Sequence, residues 1–204
     1  MNQNVVIIGA SGHGKVIADI IEKSGDTVVG FLDDDTSLPS VFLDYPVLGT
    51  VDHFVDFLEH KFIVAIGNAA IRERIMNRME QDVQWYTAIH PSSVIGRDVV
   101  ISVGSVIMAG AVINPCTTIG RGVIVNTCAS VDHDNVIGEY VHVSVGSHLA
   151  GTVHIGPRTW VGIGATISNN VNICGDCMIG AGTVVIHDIE KKGTYVGIPA
   201  HIIE

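Results

Sequence analysis

From residue 95 onward, aliphatic side chains recur at every sixth position of the chain. Sixteen consecutive positions of this series are Ile, Val or Leu. Because roughly a quarter of residues are aliphatic in an ordinary composition, a run of this length does not arise by chance. The series consists of Ile95, Ile101, Ile107, Ile113, Ile119, Val125, Val131, Ile137, Val143, Leu149, Ile155, Val161, Ile167, Ile173, Ile179 and Val185.

A second series with the same period lies four residues after each aliphatic position, and its members are mostly small or β-branched. Glycine often follows the aliphatic residue directly, as at Gly96, Gly120 and Gly138. Such a hexad predicts one flat face and one corner of a triangular β-coil, with the aliphatic side chain inside and Gly or Asn in the strained corner. Three hexads close one coil, so residues eighteen apart stack. The sixteen hexads therefore predict a parallel β-helix of a little over five coils.

The chain before residue 86 has a different pattern, in which short apolar runs alternate with helical periodicity. Residues 4–8 predict a strand that ends at the Gly-rich segment 9–14, and aliphatic residues then recur at helical spacing as far as Ser24. The further predicted elements are strands at 28–32 and 62–66 and helices at 51–59 and 69–79, the last capped by Asn68. This βαβαβα order predicts a small Rossmann-like parallel sheet with right-handed crossovers. We therefore divide the chain into domains at 1–85 and 86–204.

The Gly-rich segment is the first candidate for ligand chemistry. Glycines let the backbone approach a phosphate, and the N-terminus of the following helix directs N–H groups at it. The spacing GxxGxG, which begins at Gly9, differs from the GxGxxG of dinucleotide-binding folds. Asp33 ends the second predicted strand, where a carboxylate can accept hydrogen bonds from a base or a ribose. The short unit favours a mononucleotide moiety, and the alternative is a tight β–α turn beside solvated acids.

Charge and cysteine content narrow the function classes. The net charge of −10 argues against nucleic acid as a partner, because no basic run is present to neutralise phosphates. The cysteines at 116, 128, 174 and 177 follow no secreted framework, and the single CxxC of Cys174 and Cys177 has no second pair to complete a zinc site. We interpret these thiols as small buried residues in a reducing compartment. No apolar stretch reaches membrane-spanning length, so we expect a soluble, cytoplasmic protein without membrane insertion.

Seven short motifs spread over nearly the whole chain resemble the bacterial nucleotide-aminosugar N-acetyltransferases, which are relatives of the sialic-acid O-acetyltransferases. The motifs are GASGHGK (9–15), FLDDD (31–35), YPVLG (45–49), AIGN (65–68), IHP (89–91), NTCASVDHD (126–134) and VGIPA (196–200). The resemblance implies a left-handed β-helix and acetyl-CoA as the acetyl donor, with no metal. The acceptor that it implies is a UDP-, dTDP- or GDP-linked 4-amino-4,6-dideoxy sugar. It also implies a homotrimer with the active site between adjacent β-helices.

The same resemblance implies roles for individual residues. His133 matches the catalytic base, and Asp134 matches the adjacent acid, where many members have Glu. Asn126, the third residue that we assign to catalysis, and His142 match further site residues, one near the acceptor and one near the thioester. The residues that match nucleotide-sugar contacts are Gly9, Ser11, Gly12, His13, Asp33, Asp34 and Asn68, and those that match coenzyme A contacts are His142, Ser144, Gly151 and Ile163.

The residues around His133 favour general-base chemistry on their own. N-acetylation needs a neutral amine, a base to accept its proton and a donor to the thioester oxygen. A histidine titrates near neutral pH, and a neighbouring carboxylate fixes its tautomer and raises its basicity. Asp132 and Asp134 flank His133, and the residue that stacks eighteen positions later is Gly151, where we expect room for a ligand beside the ring. Direct attack of the amine on the thioester is the simplest mechanism.

Two other function classes stay open at this point. A carbonic-anhydrase-like enzyme would use histidines at trimer interfaces as zinc ligands, because His142 and His148 lie six residues apart on consecutive faces of one coil and cannot share a metal within one chain. A non-catalytic scaffold or sensor would keep nucleotide binding but would not need the residues around His133. Among acyltransferases, O-acetylation of sialic acid or a related sugar is the alternative to N-acetylation. The sequence names neither the base nor the sugar.

Overall fold

The computed structural model describes residues 2–203 and contains two compact units. The first unit extends to Pro91 and the second begins at Ser92. Residues 86–91, which the sequence-based division assigned to the second domain, are thus grouped with the first. The functions assigned to the two domains stay predictions at this stage.

The first unit is an α/β sheet of mainly parallel strands. In chain order its elements are β1 (Asn4–Ile8), α1 (Gly12–Lys23), β2 (Thr27–Leu32), β3 (Val41–Phe42), β4 (Tyr45–Gly49), a 3-10 helix (Val51–Phe57), β5 (Lys61–Val64), α2 (Ala69–Arg78), β6 (Gln84–Trp85) and β7 (Ala88–Ile89). The strand order is β3-β4-β2-β1-β5-β6, and only β3 and β4 pair in the antiparallel direction. The predicted parallel sheet is confirmed, while the strands β3, β4, β6 and β7 were not expected and the helix predicted at 51–59 is a 3-10 helix over Val51–Phe57.

Apolar periodicity accounts for the helices of this unit. Ile17, Ile20 and Ile21 form the buried face of α1, as their spacing predicts. The side chain of Asn68 accepts a hydrogen bond of 3.0 Å from the backbone N–H of Ile71, so the predicted cap of α2 is confirmed. Within residues 2–203, none of the helices is both long and apolar enough to cross a membrane.

The second unit stacks very short parallel strands in three faces. Its strands are β8 (Val94–Ile95), β9 (Val100–Ile101), β10 (Val106–Ile107), β11 (Val112–Ile113), β12 (Thr118–Ile119), β13 (Ile124–Val125), β14 (Ser130–Val131), β15 (Val136–Ile137), β16 (His142–Val143), β17 (His148–Leu149), β18 (His154–Ile155), β19 (Trp160–Val161), β20 (Thr166–Ile167), β21 (Asn172–Ile173), β22 (Met178–Ile179), β23 (Val184–Val185), β24 (Thr194–Val196) and β25 (His201–Ile203). Each strand from β8 to β20 pairs in parallel with the strand three places later, and the final pair β24–β25 is antiparallel. The predicted parallel β-helix is confirmed.

Both periodic series of the sequence line the interior of the coils. The aliphatic series is buried from Ile107 to Val185, whereas Ile95 in the first coil is exposed. Hydroxyl groups in the second series link successive coils. Thr159 Oγ1 donates to the carbonyl of Cys174 at 3.0 Å and accepts from the N–H of Cys177 at 3.2 Å. This pair of bonds, which we call the hydroxyl ladder, satisfies a polar side chain inside the coil.

The left-handed corners are not where the sequence placed them. Positive φ angles recur at every sixth residue from Asp98 to Gly182, three positions after the aliphatic residue. The glycines directly after the aliphatic residues serve a different purpose. A Cβ on Gly120 would lie 2.8 Å from the backbone N of Glu139 and 2.9 Å from the carbonyl O of Ile137. These glycines are required by the close approach of neighbouring coils, so the expectation that they relieve corner strain was wrong.

This distinction predicts opposite outcomes for two glycine substitutions. Gly120→Ala should lower the free energy of unfolding by about 1–3 kcal/mol, because the added methyl group overpacks against backbone that cannot rotate away. Gly182→Asn should stay within about 0.5 kcal/mol of the wild type, because nothing lies within 4 Å of that Cβ and Asn170 adopts the same left-handed conformation. Thermal and urea unfolding followed by circular dichroism measure both. Equal destabilisation by the two variants would contradict this account.

Candidate active site

His133 and Asp134 form a hydrogen-bonded pair at the corner that follows β14. His133 Nδ1 lies 2.8 Å from Asp134 Oδ2, and the two side chains are 54% and 58% exposed. Because a carboxylate can only accept, we assign the proton to Nδ1, which leaves Nε2 of the neutral ring as the acceptor. Asp134 lies at a left-handed corner with φ +59°. Its short side chain reaches the imidazole from this corner.

Asp132 holds the backbone on the other side of His133. Its Oδ1 accepts the backbone N–H of His133 at 2.8 Å and the side-chain amide of Asn114 at 2.7 Å. The bond from Asn114, followed by that from the His133 backbone, lowers the pKa of Asp132. The pKa of His133 is raised, chiefly by the hydrogen bond to Asp134 and then by the charge of Asp132. The two acids thus make the imidazole a stronger base than a free histidine.

Gly151 lies against the ring of His133, as the eighteen-residue register predicts. A Cβ on Gly151 would come within 2.6 Å of both Cε1 and Nε2 of His133. The space beside Gly151 is therefore filled by the imidazole, and the expectation that it leaves room for a ligand was wrong. The missing side chain at position 151 lets the ring approach the next coil closely.

Asn126 and His142 form a second cluster on the face that contains β13 and β16. Asn126 Nδ2 lies 3.1 Å from His142 Nε2. The ring of His142 is only 7% exposed and packs on Trp160, with 4.5 Å between the ring centroids. If the amide of Asn126 donates, Nε2 is the acceptor and His142 carries its proton on Nδ1. The structure thus places two predicted catalytic residues, His133 and Asp134, in one cluster and the third, Asn126, in another.

The other residues predicted to contact coenzyme A differ in accessibility. Ser144 is 3% exposed, and its hydroxyl has no hydrogen-bond partner within residues 2–203. Ile163 is 62% exposed, and Val145, which stacks against it eighteen positions earlier, is 42% exposed. Ile163 and Val145 thus give the coil surface an apolar ridge, whereas Ser144 lies beneath that surface. Their contacts with coenzyme A stay predictions.

Of three glycines in the Gly-rich segment of the first unit, only one has open space beside it. A Cβ on Gly9 would lie 2.9 Å from the carbonyl O of Ala65, and a Cβ on Gly14 would clash with the carbonyl of Gly9. Nothing lies within 4 Å of the corresponding position on Gly12, the first residue of α1. Gly9 and Gly14 are therefore needed for packing, and Gly12 is the position where another molecule can approach the helix N-terminus. Ser11, the N-cap residue of α1, is exposed, and its side chain makes no capping hydrogen bond.

His13 is held in its neutral form beside this turn. Burial, followed by the charge of Arg72, lowers its pKa to about 4. The buried Nε2 of His13 has no hydrogen-bond partner within residues 2–203. In a neutral imidazole one nitrogen donates and the other accepts, so Nε2 of His13 takes one of these roles, depending on the tautomer.

The predicted acids at the end of β2 accept hydrogen bonds from backbone N–H groups. Asp33 accepts the N–H of Ala10 at 2.7 Å through Oδ2 and that of Asp35 at 2.9 Å through Oδ1. Asp34 accepts the N–H of Val51 at 2.9 Å through Oδ1. Asp33 thus ties β2 to the Gly-rich turn, and Asp34 ties it to the 3-10 helix. Both acids thus have backbone partners, and the choice between nucleotide contacts and a tight β–α turn beside solvated acids stays a prediction.

Both acids still line a cavity of about 280 Å³ beside the Gly-rich turn. The same cavity is lined by Gly9 and by two cationic residues that the sequence analysis missed, Arg74 and Arg78. These arginines lie four residues apart on α2, and that spacing was the available signal for a shared helix face. Asn68, which was expected to contact the nucleotide, uses its side-chain oxygen to cap α2.

Metal-ligand geometry is also informative. Within residues 2–203, no group of three or more His, Cys, Asp and Glu side chains is arranged to hold a metal ion. The thiols of Cys174 and Cys177 lie 3.5 Å apart and are not bonded as a disulfide. The zinc alternative therefore has no donor set in this part of a single chain. Cys177 is buried, but Cys174 is half-buried and Cys116 and Cys128 are exposed, so the interpretation of all four thiols as buried residues was wrong.

Comparison with known proteins extends the evidence to the whole chain. A family model described as the PglD N-terminal domain matches residues 4–79. The acetyltransferase domain of PglB from Neisseria gonorrhoeae is 35% identical, with a TM-score of 0.94 over 99% of this chain and 100% of that domain. The chain belongs to the hexapeptide-repeat nucleotide-aminosugar acetyltransferases. The fold and family expected from the sequence motifs are confirmed.

Two further members of this family carry the comparison to substrates. PerB from Caulobacter crescentus, solved with CoA and GDP-perosamine, is 35% identical, with a TM-score of 0.94 over 98% of this chain and 97% of that chain. The UDP-N-acetylbacillosamine N-acetyltransferase of Bacillus subtilis is 35% identical over 122 residues, which cover 52% of this chain and 52% of that protein. The chain thus matches about half the length of that curated relative.

Proposed function

We propose that this protein transfers the acetyl group of acetyl-CoA to the 4-amino group of a nucleotide-linked 4-amino-4,6-dideoxy sugar, with His133 as general base. The observation that carries the proposal is the 2.8 Å bond between His133 Nδ1 and Asp134, which leaves Nε2 available to accept a proton. The relatives support the substrate classes, since PerB was solved with CoA and GDP-perosamine and the PglB domain with acetyl-CoA. The product would serve bacterial surface glycan or glycoprotein synthesis.

In this mechanism the neutral amine attacks the carbonyl carbon of the thioester directly. Nε2 of His133 accepts the proton that the nitrogen loses as the C–N bond forms, and Asp134 stabilises the resulting imidazolium. The C–S bond then breaks, and the sulfur leaves as the coenzyme A thiolate, to which the imidazolium can return the proton. We assign His142 and Asn126 to the region of the thioester and acceptor, and Ser144 and Ile163 to coenzyme A.

We assign the nucleotide to the first unit. Gly12 leaves the N-terminus of α1 open to a phosphate group, and the cavity lined by Asp33, Asp34, Arg74 and Arg78 offers acceptors and donors for a base or a ribose. His13 is neutral at physiological pH, so it would contact the nucleotide as a hydrogen-bonding group and not as a cation. Phosphate binding at this turn would then depend on backbone N–H groups.

A substrate panel tests the proposed activity. Purified protein should release free thiol from acetyl-CoA in the presence of at least one UDP-, dTDP- or GDP-linked 4-amino sugar, and mass spectrometry should show an acetamide product. Free sialic acid should give no turnover. Turnover with sialic acid alone would replace this proposal with O-acetylation.

His133→Ala should lower kcat by about 10²–10⁴, the usual contribution of one general base, while both KM values stay within a few-fold. Steady-state kinetics near pH 7 measure this. Retention of more than about a third of the wild-type kcat would place the base elsewhere, with His142 as the next residue to test.

Asp134→Asn is the matched comparison for that variant. Protonation of His133 should make the wild-type rate fall as the pH is lowered. Asp134 raises the pKa of His133, so removing its charge should move this acid limb to lower pH. The loss of kcat should be smaller than in His133→Ala because the imidazole remains. An unmoved acid limb would show that Asp134 does not tune the base.

Gly12→Val should raise the KM for the nucleotide sugar steeply and leave the KM for acetyl-CoA nearly unchanged. A Cβ at this position has open space around it, so the added side chain should be tolerated by the fold but would block a phosphate at the helix N-terminus. Gly14→Val is the control, since Gly14 packs against the Gly9 carbonyl and should instead lower the melting temperature. Equal damage to both KM values in Gly12→Val would mean that Gly12 serves only the fold.

The assembly and compartment also belong to this proposal. We expect a homotrimer, in which the apolar ridge at Val145 and Ile163 would lie near the β-helix of an adjacent subunit. Sedimentation equilibrium should give a mass near that of three 21.6 kDa chains, and a fully active monomer would exclude this state. The four free cysteines are consistent with the reducing cytoplasm.

A further inference from the structure

Asn135 is a fully buried carboxamide in the interior of the β-helix, two residues after the proposed base. It belongs to the second periodic series, where buried polar residues include Ser105, Thr117 and Thr159. A buried polar side chain is costly unless its hydrogen bonds are satisfied. The hydrogen bonds of Asn135 therefore show what its carboxamide contributes that a hydroxyl does not.

Two of these bonds reproduce the hydroxyl ladder. Asn135 Nδ2 donates to the carbonyl of Ala150 at 3.0 Å, and Oδ1 accepts the N–H of Val153 at 3.1 Å. Thr159 makes the equivalent pair of bonds to residues 174 and 177. A threonine at position 135 could therefore satisfy the ladder, as threonine does at position 159.

The other two bonds have no counterpart in the hydroxyl ladder, because they reach back to the active-site corner. Asn135 Nδ2 lies 2.6 Å from the carbonyl O of Asp132 and 3.3 Å from that of His133, and because the amide has two N–H groups for three acceptors, the longer contact is one arm of a shared hydrogen bond. The first carbonyl also accepts from Thr117 Oγ1 at 2.8 Å, and the second also accepts from the N–H of Thr152 at 2.9 Å. The carboxamide thus contacts the peptide groups on both sides of the His133 Cα atom.

These contacts restrict the backbone from which the imidazole projects. The peptide between Asp132 and His133 is held at its carbonyl by Asn135 and at its N–H by the Asp132 carboxylate. Fixing this plane limits φ of His133, and the bond to the His133 carbonyl limits ψ. The direction of the Cα–Cβ bond, and hence the approach of the ring to Gly151 and Asp134, follows from these two angles.

We propose that Asn135 is a positioning residue that holds the His133 backbone so that the imidazole keeps its bond to Asp134. The proposal rests on the proposed function insofar as it concerns catalysis. Asn135 is buried beneath the corner, so it acts through His133 and does not contact a substrate itself.

Asn135→Thr is the decisive variant, because it retains the ladder and removes both bonds to the corner. We expect kcat to fall about three- to tenfold, as the net value of one neutral hydrogen bond implies, with both KM values within twofold of the wild type. Thr159→Val is the matched control. It removes a ladder position far along the chain from His133 and should lower the melting temperature while leaving kcat unchanged. If the threonine side chain prevents folding, Asn135→Ser replaces Asn135→Thr, because serine also supplies a hydroxyl for the ladder and is smaller.

A double-mutant cycle separates positioning from a general structural effect. In a His133→Ala background, Asn135→Thr should cause no further loss of kcat, because the group that it positions is absent. An equal fold-loss in both backgrounds would overturn the proposal, as would an unchanged kcat in Asn135→Thr itself.

A measurement without substrates keeps the proposal independent of the proposed activity. The charged groups that act on the ring are Asp134 and Asp132, and together they raise the pKa of His133. In an NMR titration of the His133 Cε1–H signal, Asn135→Thr should move the midpoint toward the ordinary histidine value, and Thr159→Val should not. An unmoved midpoint would refute the positioning role. If no nucleotide sugar is acetylated, the proposed function fails, and the titration still decides the role of Asn135.

Discussion

The eighteen-residue register of the β-helix is the constraint on which the coil and its proposed active site depend. Backbone hydrogen bonds between coils fix this register. For example, the N–H of Asp132 donates to the carbonyl of Leu149 at 3.0 Å, and the N–H of Thr152 donates to the carbonyl of His133 at 2.9 Å. Because each coil is bonded to the next in this way, residue 133 must lie against residue 151. Glycine at that position lets the imidazole approach the next coil closely, and the same register aligns Asn135 with Val153 for the ladder bond.

The sequence predicted the parts of the fold that depend on periodicity. A strict period of six gave the coil, its register and the pairing of His133 with Gly151. It did not locate the left-handed corners, because Asp134, Tyr140 and Arg158 occupy them as readily as glycine does. In such a fold the corner conformation is imposed by closure of the coil and by bonds to the next coil, so local residue preference is a weak guide.

The first unit shows why carboxylates are harder to interpret from sequence. The Asp33 carboxylate can accept a hydrogen bond from either a nucleotide or a backbone N–H. In the structure it accepts one from the backbone N–H of Ala10, with 2.7 Å between the N and Oδ2 atoms. Arg74 and Arg78 line the cavity because of the way α2 packs beside the sheet. The sequence of α2 alone does not predict that packing. Strand β4 was missed because Pro46 interrupts its pattern, and proline is compatible with a strand only where its missing N–H is not needed for pairing.

A higher pKa makes the His133 imidazole more basic but lowers the fraction of the ring that is unprotonated near neutral pH. The bond to Asp134 and the charge of Asp132 both raise this pKa. Water screens the charge of Asp134, whose side chain is 58% exposed, and this screening limits how far that acid can favour the charged ring. Asp132 is further restrained by its bonds to Asn114 and the backbone. The proposed base depends less on burial than on geometry, so in our proposal the groups that fix the corner, Asn135 among them, act on its chemistry through the position of the ring, as the acids act through their charge.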